Sequence, residues 1–313
     1  MRTVSLVLGV LAAGAALAAV VAAPSNATFK GRNGLLVYQG IVGEHEQLFT
    51  VKPDGSDVRQ LTDFSDSDAI NASWSPDSKK IAFLRRWGQN KWRVYTMNAD
   101  GSGMREFHRT LRGTPAWLPD GKHLLLLKKL TWTIVNVSGG APRDAGIPGT
   151  HGDSPCLLPD GKRVAMTATL GRKDGKVAIV VARIGGGPQG IQRITPWQSL
   201  GGKIDCSPDG SKILFSAPQF GPTSPDSTPS VSSRSSNVYV INVDGTGLRQ
   251  LTHSTGGKVN NGANSWSPDG RKISFISNRG GAYGVYTMNA DGAGVKKLTK
   301  NPGDHLSAWG SHP

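Results

Sequence analysis

Past its N-terminal stretch, the sequence has no apolar run near the roughly 18 residues that a membrane-spanning helix needs. Charged residues make up only 19% of it, which is low for a helical protein. Carboxylates are scarce: 22 Asp and Glu stand against 36 Lys and Arg, a formal net charge of +14. Such a surplus favours anionic partners. Neither an arginine-rich helix nor a base-stacking motif accompanies it, so nucleic acid is not the expected partner. There is no nucleophile elbow and no paired-carboxylate signature, which removes the commonest hydrolase plans. Cysteines number two, and neither lies near the N-terminus, which argues against a lipid anchor there.

What the N-terminus does have is Arg2, an apolar stretch over 4–21, and a small-residue "SNA" site ending at Ala27. This pattern predicts a secretory signal over residues 1–27 with cleavage after Ala27. The expected location is therefore secreted, or periplasmic in the cell envelope. Residues 28–313 are expected to form a single domain, because the 41 glycines and 19 prolines recur at regular intervals, as many short strands joined by tight turns require.

A repeat organises the rest. The tryptophan of "NSWSPDGRKISF" (264–275) and "ASWSPDSKKIAF" (72–83) defines a slot filled by Trp74, Trp117, Leu157, Cys206, Trp266 and Trp309. The chain's last residues, "LSAWGSHP", are thus the opening of a further copy. A second marker follows each first one, as in "KPDGSDVRQLT" (52–62), "MNADGSGMREF" (97–107), "NVDGTGLRQLT" (242–252) and "MNADGAGVKKLT" (288–299). Weaker forms stand at "NVSGGAPRDAG" and "ARIGGGPQGIQRIT". Each copy reads as four short strands, with Asp-Gly expected to form type I′ hairpin turns. A unit of this size cannot bury both its faces alone, so six copies are predicted to stack radially as an all-β, six-bladed β-propeller of four-stranded antiparallel blades. "GRNGLLVYQG" (31–40) matches a second strand with no first strand before it. "HLSAWGSHP" supplies that strand, closing the ring through the C-terminal strand.

These residues resemble the TolB-type β-propeller repeat, a WD-like repeat marked by the W-S-P-D-G turn, the following "kkIaF" strand and a "DG--rLT" close. The resemblance spans 28–313 and implies the propeller only. It includes no counterpart of the N-terminal domain that precedes the propeller in TolB.

Asp77, Asp120, Asp160, Asp209 and Asp269 fall at first-to-second turns, and Asp54, Asp100, Asp244 and Asp291 at third-to-fourth turns. They are expected to serve the turns on one face, which leaves function to the other. On that other face the sequence places Arg86 and Trp87 within "RRWGQNKWR" (85–93), where cations interleave with Trp87 and Trp92 and suit sugar stacking or anion capture. The Ser- and Pro-rich insertion 217–237 falls there too. Asp63, Asp66 and Asp68 of "DFSDSD" form a weak candidate calcium set, lacking the EF-hand order and its glycine. Asp68, Asn71, His151, Asp153, Lys203, Asn261, Asp304 and His305 complete the candidate ligand-binding groups at the channel mouth. "HEQLF" (45–49) and "GGGPQG" (185–190) imitate a zinc-protease helix and a dinucleotide loop, but both sit among strands.

The reading that follows is an exported non-catalytic scaffold, monomeric, binding a protein or an anionic envelope polymer, with no cofactor beyond the candidate calcium. The alternative is a hydrolase or lyase acting on a sugar or lactone at the channel mouth, with calcium as its metal. Cys206 fills the slot of blade five and Cys156 lies one residue before that of blade four, so the thiols either face each other across the blade interface or point apart.

Overall fold

The computed structural model describes residues 29–88, 91–108, 111–129, 131–147, 155–170, 176–197, 201–218 and 235–312. Their strands form six four-stranded sheets, each antiparallel throughout. From the axis outward, blade one is His305–Ser311, Asn33–Val42, His45–Val51 and Arg59–Gln60. Blade two is Asp68–Trp74, Lys80–Trp87, Lys91–Asn98 and Arg105–His108, and blade three is Arg112–Trp117, His123–Lys128, Thr131–Asn136 and Arg143–Asp144. Blade four is Cys156–Leu157, Arg163–Ala168, Ala178–Arg183 and Ile191–Arg193. Blade five is Gly201–Cys206, Lys212–Pro218, Ser236–Asn242 and Arg249–Gln250, and blade six is Asn261–Trp266, Lys272–Ser277, Gly284–Asn289 and Lys296–Lys297. The C-terminal strand completes blade one from the inside, pairing Trp309 with Leu36 and Ala308 with Val37.

The acids of the repeat do what local chemistry asks of them. All nine accept the backbone N–H two residues on, from Ser56 to Asp54 at 2.9 Å through Ala293 to Asp291 at 2.9 Å. The expected type I′ geometry is corrected, however. Within the Asp-Gly pair of each third-to-fourth turn only the glycine has positive φ, at 91° in Gly55, 89° in Gly101, 91° in Gly245 and 90° in Gly292. The N–H of Gly101 bonds to the carbonyl of Asn98, and that of Asn98 to the carbonyl of Ser102, which is a tight turn followed by a left-handed residue. The acid keeps an ordinary φ and caps the turn.

Apolar side chains meet between blades rather than along the axis. Ile70, Ala82 and Leu84 of blade two pack on Trp117, Leu124 and Leu126 of blade three; Ala165 and Ile179 of blade four pack on Ile213 and Phe215 of blade five. All six slot residues are buried, none more than 5% exposed.

The slot faces backward, toward the preceding blade, at every junction where a polar or covalent contact forms. Trp74 Nε1 donates to the carbonyl of Ala308 and Trp117 Nε1 to that of Ser73, both at 3.3 Å. The N–H of Trp266 donates to Asp205 at 2.8 Å, and that of Trp309 to Ser265 Oγ at 3.2 Å. Cys206 is disulfide-bonded to Cys156, Cα to Cα 5.7 Å. Each contact joins a slot to the residue one before the slot in the neighbouring blade. That direction decides the question the sequence left open about the two thiols.

Candidate functional site

The inner strands carry an irregularity at one level of the channel. Register shifts fall between Ile70 and Ser73, between Gly201 and Asp205, between Ala263 and Ser265, and on the strand facing Tyr38–Gln39 between His305 and Ser307. Such bulges re-aim side chains next to functional mouths. Asn71, in the first of them, sits at φ 55°, a left-handed conformation that asparagine tolerates better than most residues.

At the junction of blades one and two a polar network gathers several candidate groups. Asp68 accepts from Arg86 Nε at 2.8 Å, from the Glu46 N–H at 3.1 Å, and faces His45 Nδ1 at 3.2 Å. Burial raises the Asp68 pKa, but these donors outweigh it and hold the carboxyl below its ordinary value. Gln39, only 1% exposed, donates to Glu46 at 2.6 Å and accepts the Asn71 N–H at 2.9 Å. His305 closes the series: its Nδ1 donates to the Gly303 carbonyl at 2.7 Å, and its Nε2 lies 3.4 Å from Glu46. Burial lowers the His305 pKa, while Glu46 and the Gly303 carbonyl raise it, with a net upward shift. Asp68, Asn71, Arg86 and His305 thus meet through Gln39 and Glu46, two residues the sequence reading missed. A glutamine inside the otherwise apolar "LLVYQG" strand was the available signal.

Asp304 lies below this network, 1% exposed, with one carboxylate oxygen lacking a hydrogen-bond partner. Burial raises its pKa despite bonds from Thr299 and Asn301, and burial together with the Asp304 charge pushes that of Tyr38 up.

Asn261 serves the scaffold. Its Nδ2 donates to the Ser236 carbonyl and to Ser254 Oγ, each at 3.0 Å, and its Oδ1 accepts from Ser277 Oγ and Arg279, each at 2.8 Å. The basic and aromatic patch is likewise turned inward on itself. Arg85 lies 3.7 Å over Phe64 and 4.5 Å over Trp87 while binding Asp66, and Arg93 binds Glu106. Trp87 Nε1 donates to Asp66 at 2.9 Å. Trp87 and Arg86 are therefore parts of ion-pair networks that neutralise most of this patch's charge.

The calcium set does not assemble. Asp66 is held by Trp87, Ser67 and Arg85, which keep its pKa well below the ordinary range, and Asp68 by Arg86 and His45. Arg85 and Arg86 each take a carboxylate oxygen, of Asp66 and of Asp68 respectively. Among the described residues no group of three or more His, Cys, Asp or Glu side chains could hold a metal. His151 and Asp153 lie outside the described residues, as does 219–234 of the insertion.

Lys203 lines the channel two residues before Asp205 on the inner strand of blade five, and its pKa is lowered by burial against the opposing pull of Asp205. A cavity of about 50 Å³ within the channel is lined by Ser73, Thr114, Cys156, Lys203 and Asp205 among others. Phe29, 5% exposed, fills its end on the turn-bearing face. The segment behind it is tied there by the Gly31 N–H on the Pro268 carbonyl at 3.1 Å and by Asn33 on Asp269 at 3.1 Å.

Among solved structures, TolB from Acinetobacter baumannii is similar with a TM-score of 0.69 and 20% identity, over 89% of this chain and 67% of that one. An oligogalacturonate lyase in complex with manganese matches at TM-score 0.51 and 16% identity, over 88% and 75% of the two chains. The oligogalacturonate lyase from Vibrio parahaemolyticus gives 0.51 and 12%, over 84% and 89%. At these identities the matches show the fold alone. No curated protein matches the sequence. Residues 216–311, which take in the outer half of blade five, all of blade six and the closing strand, match the family model described as PD40: TolB beta propeller domain, and the chain as a whole has the six-bladed β-propeller fold.

Proposed function

We propose that the chain is an exported, non-catalytic propeller that serves as a binding scaffold for a protein or an anionic envelope polymer. A cavity in the channel supports this reading: it holds about 50 Å³ beside Phe29 and Lys203, whereas small-molecule sites usually offer roughly 300–1,000 Å³. Export rests on the signal pattern of residues 1–27, and the similarity to TolB supports an envelope location. Binding then falls to the outer surfaces and loop faces, as in many propellers. Affinity capture from the envelope fraction of the source cells should recover a defined partner at native salt. Repeated recovery of none would count against the scaffold.

One observation favours the alternative, a lyase or hydrolase acting on a sugar or lactone. Glu46 and His305 form a half-exposed pair, with 27% and 24% of their side chains accessible, and such a pair can exchange a proton with a bound substrate. A screen of uronides, glycosides and lactones, with and without calcium or manganese, tests it. Turnover abolished by Glu46→Gln would reverse the ranking of the two readings.

A further inference from the structure

Blades three and four are the copies that depart furthest from the repeat, and their departures share one electrostatic sign. Where blades one, two, five and six place Asp54, Asp100, Asp244 and Asp291 in the third-to-fourth turn, blade three has Ser138 and blade four Gly185. The turns themselves persist, since the Gly139 N–H still bonds to the Asn136 carbonyl and the Gly186 N–H to that of Arg183. Two carboxylates have gone and the geometry has stayed. In blade four the asparagine that opens this turn in blades two, three, five and six is replaced by Arg183.

The described residues of these two adjacent blades carry ten basic residues against three acidic ones, Asp120, Asp144 and Asp160, a net +7. Blades two and three follow at +6, and no other pair of neighbouring blades exceeds +4 on the same count. The three acids are bound up in their own turns, accepting the N–H groups of Lys122, Gly146 and Lys162 respectively. Arg183 stands directly opposite Arg163 across the sheet. The outer strand of blade three, with Arg143, is stitched to the same corner by the Gly185 N–H on the Ala145 carbonyl at 2.8 Å and the Gly187 N–H on the Gly146 carbonyl at 2.9 Å. Arg143, Lys162, Arg163, Arg183 and Arg193 are all exposed. In blade two the arginines are spent on Asp66, Asp68 and Glu106. Here Arg163 is paired with Asp160, and Arg143, Lys162, Arg183 and Arg193 carry the exposed positive charge.

The residues around this corner also restrict what could bind. From 108 to 194 the sequence has no Phe or Tyr, and its two tryptophans, Trp117 and Trp132, are fully buried. Just beyond, Trp197 is partly exposed with the Arg193 guanidinium 5.5 Å from its ring centre, and the described residues of the corner offer no second accessible Phe, Tyr or Trp on which successive bases could stack. Leu170 is the single large apolar side chain exposed among the described residues of the two blades, so the anchor that a folded protein partner uses is lacking.

We propose that the turn-face corner of blades three and four is a polyanion-binding surface that takes a linear carboxylated polysaccharide by charge. This rests on the scaffold reading and names its ligand class and its place. The test is binding of labelled polygalacturonate to the full-length protein, with neutral dextran and a single-stranded oligonucleotide as the other arms. Saturable binding to polygalacturonate, weakened at roughly 0.5 M salt, is expected. The triple variant Arg143→Ser, Arg183→Ser, Arg193→Ser should lose about tenfold to a hundredfold in affinity. Its control, Lys258→Ser, Lys296→Ser, Lys297→Ser in blade six, removes the same net charge and should stay within about twofold. Melting curves establish that both variants are folded. Equal losses in the two variants, tighter binding of the oligonucleotide, or no polygalacturonate binding at all would overturn the proposal. If the wild type binds no polygalacturonate yet captures a defined envelope protein, this surface falls and the scaffold stands; turnover in the enzyme screen would remove the scaffold itself.

Discussion

Cys206 of blade five is bonded to Cys156 of blade four across the interface of the two blades, with both side chains nearly fully buried. It is the covalent version of a contact made by hydrogen bonds at four other junctions, and it falls where no tryptophan fills the slot. Cross-linking residues 50 apart in sequence removes unfolded-state entropy equivalent to about 4 kcal/mol. The double variant Cys156→Ser, Cys206→Ser should therefore lose about 3–4 kcal/mol in urea unfolding. Wild-type protein unfolded without reductant should yield no titratable thiol. An unchanged midpoint in the variant, or two free thiols in the wild type, would contradict the bridge.

The closing strand should behave as part of every blade's stability. Trp309 is 2% exposed and packs with Leu36, Val285 and Leu298, which brings blades six and one together. Trp309→Ala should cost about 3–5 kcal/mol. Deleting 306–313 should remove cooperative unfolding altogether instead of fraying one end, because blade one then presents an unpaired inner edge. Calorimetry separates the outcomes: a truncated protein with the wild-type melting temperature would show that closure carries no energy.

The fold was legible because its signals are local. An aspartate two residues before the N–H it caps, a glycine at positive φ and a tryptophan opening four of the six copies repeat at short range, and the structure places them as the repeat requires. The turn type was misjudged because Asp-Gly alone does not tell a two-residue loop from a longer one; the count of residues between paired strands does. The site was less legible. Asp68 and Asn261 are polar residues at a channel mouth, but their partners, His45 and Arg86 for one and Ser236, Ser254 and Arg279 for the other, are distant in sequence or lie in other strands. A single sequence gives no distance between such groups, so residues that build the scaffold look like residues that bind.

Asn261 offers a direct check on that distinction. Its side chain satisfies four partners from three segments while remaining 1% exposed. Asn261→Ala leaves buried donors and acceptors unpaired, each worth about 1–3 kcal/mol, and should destabilise the protein by about 3–5 kcal/mol. Binding of any partner, measured below the lowered melting temperature, should be unchanged. Lost binding with intact stability would make Asn261 a ligand group after all.

The Glu46–His305 pair predicts the direction of a pH effect. His305 comes from the closing strand and Glu46 from the third strand of blade one, with Gln39, Asp304 and Tyr38 as the neighbouring polar groups. Burial alone would lower the imidazole pKa; the Glu46 carboxylate and the Gly303 carbonyl reverse this, so the folded value stands above the ordinary 6.5. A group with a raised folded pKa gives its full stabilisation below the unfolded value and loses it as pH rises through the folded one. Asp304, also raised, begins to lose its share above 3.8. Both therefore act in the same direction, and stability should fall as pH rises through the neutral range. Melting temperatures between about pH 5 and pH 9 should decline more steeply for the wild type than for His305→Gln, which keeps a donor toward Glu46 but cannot titrate. Equal slopes would place the pH dependence elsewhere, and a steeper decline in the variant would reverse the sign of the imidazole's contribution.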